Sequence, residues 1–277
     1  MRVGSAPDSW GVWFPNDPRQ VPWTRFLDEI VAAGYEWLEL GPYGYLPTDP
    51  GRLADEVGRR GLRVSGGTVG GSLQIAAAWS DVVASARRVA SLASQVGARF
   101  VVFLPDAEGE ADWTQLTRAA NELDTLLRDE FGVRMVFHPH ADSHVETQQQ
   151  IERFLENTDV SLCLDTGHVA YRRGDNLALI RDYPARIGYV HLKQVNPDVL
   201  DIVEAKGLSF GEAVPLGVCP EPPGGVPSFE ALHDALAPLG NELFTIVEQD
   251  LYPCGPDVPL PIACRTRAYL RACGFDG

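Results

Sequence analysis

The stretch Arg99–His138 reads "RFVVFLPDAEGEADWTQLTRAANELDTLLRDEFGVRMVFH". It opens on "FVVFL" and closes on "RMVF", two short apolar runs without polar alternation. Such runs suit strands covered on both faces. Between them, Leu116, Ala120, Leu123 and Leu127 recur at spacings of three and four, which places them on one face of a helix. Gly132 stands where that helix must stop. The stretch is therefore a strand–helix–strand unit with a parallel sheet as its natural context.

Working outward, the same alternation repeats along the chain. Strands are predicted at Arg2–Ala6, Trp37–Leu40, Arg63–Ser65, Phe100–Leu104, Arg134–His138, Leu162–Asp165, Ile187–Leu192 and Leu243–Glu248. The segments between them carry helical periodicity. Val82, Ala86, Val89, Ala93 and Val96 share one face ahead of Gly97, and Phe26, Ile30 and Ala33 do so ahead of Gly34. Thr147 and Gln150 form the pattern of a capping box opening "TQQQIERFLE". Eight strands alternating with helices predict a single (β/α)8 TIM barrel spanning residues 1–277. An open, doubly wound sheet is the runner-up. Neither GxGxxG after a strand nor GxxxxGKS/T is present, so dinucleotide and P-loop chemistry lack support. Gly66-Gly67 and Gly70-Gly71 are read as a flexible rim loop after the third strand, with a phosphate nest as the alternative. The longest irregular stretch, about 195–227, follows the seventh strand. A loop of that length is expected to be functional or to act as a lid.

Composition narrows the function classes. The chain has 277 residues, 45% apolar and 22% charged, with a formal net charge of −15. A surface of that sign repels phosphate backbones and anionic lipid, so no nucleic-acid or membrane role is expected. No apolar stretch reaches the roughly 18 residues of a membrane span. "MRVGSAPDSW" lacks a signal-peptide core. Cys163, Cys219, Cys254, Cys264 and Cys273 form no CxxC pair and read as packed or free thiols in a reducing compartment. A cytoplasmic location is expected.

In such a barrel the active site lies at the C-terminal strand ends. The fifth strand ends on His138-Pro139-His140, with Glu146 a few residues on. The sixth ends on Asp165, with His168 three residues later. The seventh carries His191 and Lys193, and the eighth ends on Glu248, with Asp250 two on. Residues two apart on a strand share a face, so these pairs can both point inward. Four consecutive strands thus bring carboxylate or imidazole to one rim. Buried carboxylates without a cation would repel one another and lose their hydration. A divalent cation removes that penalty. An oxygen-rich set of three carboxylates and one imidazole suits manganese, magnesium or cobalt better than a structural zinc site.

These motifs resemble the xylose isomerase-like TIM-barrel family, and within it the inosose dehydratase group. The likeness covers nearly the whole chain. "LCLDTGH", "YVHLKQ" and "IVEQD" carry it most specifically, supported by "HPHADSHVET" and "GYEWLELGPYGYLPTDP". The resemblance implies metal ligands Asp165, His191 and Glu248, with Glu146 as the fourth and His140 as its competitor. It implies a divalent metal, Mn2+ first, with Co2+, Mg2+ or Zn2+ as alternatives. The chain departs from the group at Asp142-Ser143, where Gly-Thr is usual. It departs again at Gln194, where Asp is usual, and at Pro227-Ser228, where an acidic residue often precedes the phenylalanine.

A metal beside bases suits proton abstraction next to a carbonyl. The enediolate so formed can lose a β-hydroxyl, be reprotonated on its other face, or return the proton at the neighbouring carbon. The first expectation is a metal-dependent dehydratase of a keto-inositol or similar keto-polyol. A sugar isomerase or epimerase is the alternative, and a non-catalytic or partner-dependent barrel the second alternative. An apurinic endonuclease role ranks last, because the acidic surface opposes DNA. His168, Glu146 and Glu248 are the candidate bases. Lys193, His138 and His140 are the candidate acids. His138, His140 and Trp10 are expected to contact a small polyol or sugar substrate, and His144 to be a loop residue. A homo-oligomer stays open.

Overall fold

The computed structural model describes residues 1–276. Eight parallel strands close into a barrel in chain order. They are β1 (Arg2–Ser5), β2 (Trp37–Glu39), β3 (Arg63–Gly71), β4 (Phe100–Pro105), β5 (Arg134–Phe137), β6 (Ser161–Asp165), β7 (Ile187–Leu192) and β8 (Phe244–Val247). Closure is made by β1 against β8, from Arg2 opposite Phe244 to Ser5 opposite Val247. The predicted barrel is therefore the observed one, and the doubly wound alternative falls, since an open sheet would leave two unpaired edges.

Helices α1 (Trp23–Ala32), α2 (Pro50–Gly58), α3 (Trp79–Gln95), α4 (Trp113–Phe131) and α5 (Gln148–Asn157) follow β1 to β5 in turn. Then come α6 (Thr166–Tyr171), α7 (Asn176–Asp182), α8 (Pro197–Lys206), α9 (Phe210–Ala213), α10 (Phe229–Leu236) and α11 (Pro259–Ala272). Their caps follow from local sequence. Thr147 and Gln150 make the capping box of α5, and Gly132 ends α4 in the left-handed conformation. The faces read from periodicity are the buried ones: Val82, Ala86, Val89 and Ala93 on α3, and Leu116, Ala120, Leu123 and Leu127 on α4. None of these helices is long and apolar enough to cross a membrane.

Two expectations need correction. The Gly66–Gly71 segment is not a rim loop, because β3 runs on through it and pairs with β4 from Gly66 to Gly71. A Cβ would stand 2.7 Å from Val89 Cγ1 at Gly67 and 2.8 Å from Val82 Cγ2 at Gly71, so these two glycines serve the close approach of α3 rather than chain flexibility. The 195–227 stretch is not irregular either. It holds α8 and α9, packed around a small second core of Leu200, Val203, Phe210 and Ala213. Its low helical regularity in sequence reflects short elements separated by proline and glycine. Its two ends are tied by Gln194, whose amide donates to Pro227 O (2.7 Å) and accepts from Gly225 N (3.2 Å).

The main core lies between sheet and helices. A second apolar layer, Ala6, Phe100, Val102, Val136, Cys163, Tyr189, Phe244 and Ile246, fills the barrel. Its rings meet edge-on, with Phe100 5.6 Å from Tyr189 and 5.9 Å from Phe244. This layer is the floor on which the polar residues stand.

Candidate active site

On six of the eight strands an inward apolar residue at that floor, or packed against it, is followed two positions on by a polar one. Ala6 leads to Asp8, Trp37 to Glu39, Val136 to His138, Cys163 to Asp165, Tyr189 to His191 and Ile246 to Glu248. The pleat raises all of these to the C-terminal mouth of the barrel. Six strands thus supply side chains to one level. Asp8, Trp13, His138, His140, Lys193, Phe210, Glu248 and Asp250 line a cavity of about 450 Å³ above it.

His138, Asp165, His191 and Glu248 are all buried, and one donor atom from each lies within 4.8 Å of the others. His138 Nε2 is 3.3 Å from Asp165 Oδ2 and 3.7 Å from Glu248 Oε2. His191 Nδ1 is 3.0 Å from Glu248 Oε2, yet it makes no hydrogen bond. His138 Nδ1 is likewise buried without a partner. The Lys193 ammonium stands beside them, 2.7 Å from Asp250, 2.9 Å from Glu248 and 3.1 Å from Asp165. Burial opposes charge throughout the group. Even so, Lys193 and His138 hold the Asp165 carboxyl below its ordinary value, and His191 and Lys193 hold Glu248 well below. Asp8 and Asp250 go the other way. Burial raises both, and Glu248 raises them further. Burial likewise works against charge on His191, but Cys163, Glu248 and Glu39 hold its pKa well above the imidazole norm.

Five carboxyl groups, those of Asp8, Glu39, Asp165, Glu248 and Asp250, share this space with Lys193, His138 and His191. So many acids at one buried level, set around two imidazoles, suit a bound cation. His138 Nε2 and the unpartnered His191 Nδ1, beside the Asp165 and Glu248 carboxylates, form a donor set that fits a divalent metal.

The fourth member of the cluster is His138, not Glu146. Glu146 lies in the loop after β5, where it accepts from Asp142 N (2.7 Å) and is paired with Arg172 (2.6 Å). It does not line the cavity. The path that carries it away turns at Asp142, whose φ of 60° is the left-handed conformation that favours glycine. Asp142 uses that position to accept from Phe210 N (2.6 Å), which latches α9 over the mouth. The departure from Gly-Thr thus has a structural role. His144 lies in the same loop, half-buried, with its backbone N–H directed to Asp106 O.

Trp10 also needs correction. It is fully buried, donates from Nε1 to Glu29 Oε2 (2.9 Å) and packs edge-on against Phe26, so it belongs to the core. The tryptophan that reaches the cavity is Trp13. It donates to Asp250 Oδ1 (3.0 Å) and stacks on Tyr252.

His140 and His168 differ in what they offer. His140 Nδ1 lies 2.7 Å from Ala141 O, which fixes the ring proton there and turns Nε2, as an acceptor, toward the cavity. Loss of hydration, then the positive charges of His138 and Lys193, lower its pKa to about 4. His168 Nδ1 accepts from Ala141 N (3.2 Å), and burial first of all holds its pKa well below the norm. His168 Nε2 lies 3.2 Å from Lys193 Nζ.

A pH titration checks this. An unfolded histidine takes its proton near pH 6.5, whereas folded His140 takes it only near pH 4. Between those values the unfolded chain binds more protons at this site. This histidine therefore lowers stability as the pH falls through that window. The expected NMR result is a His140 ring that stays neutral from pH 9 to below pH 5. A midpoint near 6.5 would contradict the assignment.

Gly167, in "DTGH", faces the Lys193 stem. A Cβ there would lie 2.3 Å from Lys193 Cγ and 2.6 Å from its Cβ. Gly167→Ala is expected to cost about 1–3 kcal/mol by overpacking and to displace the ammonium. Urea melts and steady-state rates should show activity falling by about tenfold or more, beyond what partial unfolding explains.

Sequence reasoning missed Asp8 and Glu39. Glu39 Oε2 is 2.9 Å from His191 Nε2 and accepts from Tyr189 Oη (3.1 Å), while Oε1 accepts from Thr68 Oγ1 (2.6 Å). Glu39 ends β2 as Asp165 ends β6, and Asp8 lies in the turn just after β1; that was the available signal.

Comparison with known proteins shows the family and the fold. The family model of the xylose isomerase-like TIM barrel matches residues 27–257. An inosose dehydratase of Geobacillus thermodenitrificans is 27% identical over 307 aligned residues, covering 99% of this chain and 98% of that protein. Among solved structures, a D-psicose 3-epimerase of Clostridium cellulolyticum superposes with a TM-score of 0.75 at 13% identity, over 99% of both chains. The IolI protein, solved with a bound zinc atom, gives a TM-score of 0.72 at 15% identity over 100% of both. These two likenesses concern the fold.

Proposed function

This chain belongs to the xylose isomerase-like TIM barrel family and is an enzyme of the lyase or isomerase kind; from that premise we propose that it is a divalent-metal-dependent dehydratase of a keto-inositol or similar keto-polyol. The observation that carries the reading is the buried His138–Asp165–His191–Glu248 group beside Lys193. The full-length similarity to an inosose dehydratase supports the substrate class.

His138, Asp165, His191 and Glu248 would hold the ion. When bound, it supplies Lewis-acid polarisation of the substrate ketone and an adjacent hydroxyl. Manganese remains the first choice. With His138 in place of a third carboxylate, the set moves away from magnesium and also suits cobalt or zinc. The remaining steps belong to the chain. Glu248 is the proposed base for the α-proton, and the electron pair of that C–H bond becomes the new C=C bond. Lys193, held as an ammonium, gives its proton to the departing β-hydroxyl, which leaves as water. His140 Nε2 accepts from a substrate hydroxyl. Trp13 and Phe210 wall the cavity and limit water.

The test is incubation of purified protein with Mn2+ and inosose isomers in D2O. Loss of one water with a new ultraviolet-absorbing product is expected. Deuterium entering the substrate carbon without water loss would replace this reading with an isomerase or epimerase.

A further inference from the structure

We infer that Glu39 is a positioning residue that presets His191 for the metal. This rests on the proposal that His191 is a ligand, and goes beyond it by naming what orients the ring. Glu39 ends β2 on the far side of the barrel from β7, and it is 1% exposed. Its carboxylate can only accept. It takes hydrogen bonds from Thr68 Oγ1 and Tyr189 Oη and faces His191 Nε2 at 2.9 Å. The ring proton is therefore drawn to Nε2. Nδ1 is the nitrogen directed into the group, 3.0 Å from Glu248 Oε2 and 3.8 Å from Asp165 Oδ2, and is the one whose lone pair an ion would take.

The support continues below. Tyr189 lies two residues before His191 on the same inward face, and its hydroxyl is 2.7 Å from Ser65 Oγ. Ser65 in turn donates to Leu38 O (3.0 Å), the residue before Glu39. Three strands, β2, β3 and β7, thus fix the carboxylate from which His191 takes its orientation. A carboxylate set behind a liganding histidine in this way fixes the tautomer and raises the basicity of the free nitrogen.

The experiment measures equilibrium binding of Mn2+ and Zn2+ alone, by calorimetry and chelator competition, to the wild-type chain, Glu39→Gln and Tyr189→Phe. Glu39→Gln keeps the shape, but its amide can donate to Nε2 and drive the proton onto Nδ1. Its affinity is expected to fall about 10–100-fold, with the fold retained by circular dichroism, while Tyr189→Phe changes affinity far less. Side-chain 15N NMR of the Zn2+-loaded wild type should show the His191 proton on Nε2. A wild type that binds neither ion overturns the metal reading and this inference together. Wild-type binding matched by Glu39→Gln, or a His191 proton on Nδ1, overturns this inference and leaves the metal reading standing. The NMR arm needs no variant and decides the matter should Glu39→Gln fail to fold.

Discussion

Asp165→Asn is expected to lower turnover by about a thousandfold or more while leaving the barrel folded. The two halves of that carboxylate have separate tasks. Oδ1 caps α6 by accepting from His168 N at 2.8 Å. An asparagine oxygen can do the same. Oδ2 faces Lys193, His138 and His191 at 3.1, 3.3 and 3.8 Å. Asparagine cannot supply the charge needed there. Loss of a bound Lewis acid removes several kcal/mol of transition-state stabilisation, and about 4 kcal/mol corresponds to a thousandfold in rate. Steady-state kinetics, metal content and thermal melts on one preparation check the prediction. An Asp165→Asn protein with near wild-type turnover would remove this group from the chemistry.

Lys193→Met carries the second large effect, and it is on stability. Lys193 is 2% exposed and is the ammonium shared by Asp165, Glu248 and Asp250. Its removal leaves three buried carboxylates facing one another, a change expected to cost about 3–5 kcal/mol. The sign with pH follows. Without the lysine, the carboxyl pKa values in the folded state rise above their unfolded values. The protonated groups are then tolerated at low pH, and stability is lost as pH rises through the raised values. The deficit relative to wild type should be larger at pH 8 than at pH 5 in urea melts. Added Mn2+ should restore part of it, since a cation then meets the same carboxylates. A deficit that is equal at both pH values and indifferent to metal would show that the lysine acts only through packing.

The fold was readable because parallel strands buried on both faces leave unalternated apolar runs, and because amphipathic helices separate them. The site was readable for a related reason. In "LCLDTGH", "YVHLKQ" and "IVEQD" a charged residue follows an apolar inward position by two, which the pleat turns into height above the floor. Asp165, His191 and Glu248 are brought together in this way. Glu39 obeys the same rule in "EWLEL", and Asp8 follows β1 by one turn in "SAPDSW"; neither segment carries a histidine to mark it.

Glu146 is a different kind of miss. Spacing along a loop does not fix its path. The turn at Asp142 and the pairing with Arg172 decide that His138, rather than Glu146, faces the group. The glycines of β3 misled because glycine usually marks a turn, whereas here Gly67 and Gly71 give way to Val89 and Val82 of α3.

Anomalous diffraction from crystals grown with Mn2+ or Zn2+ tests the account most directly. The prediction is one ion per chain, about 2.0–2.2 Å from donor atoms of His138, Asp165, His191 and Glu248, with activity lost on chelation and regained with the ion. An ion held instead by Glu146 or His140, or full turnover in exhaustively chelated protein, would contradict it.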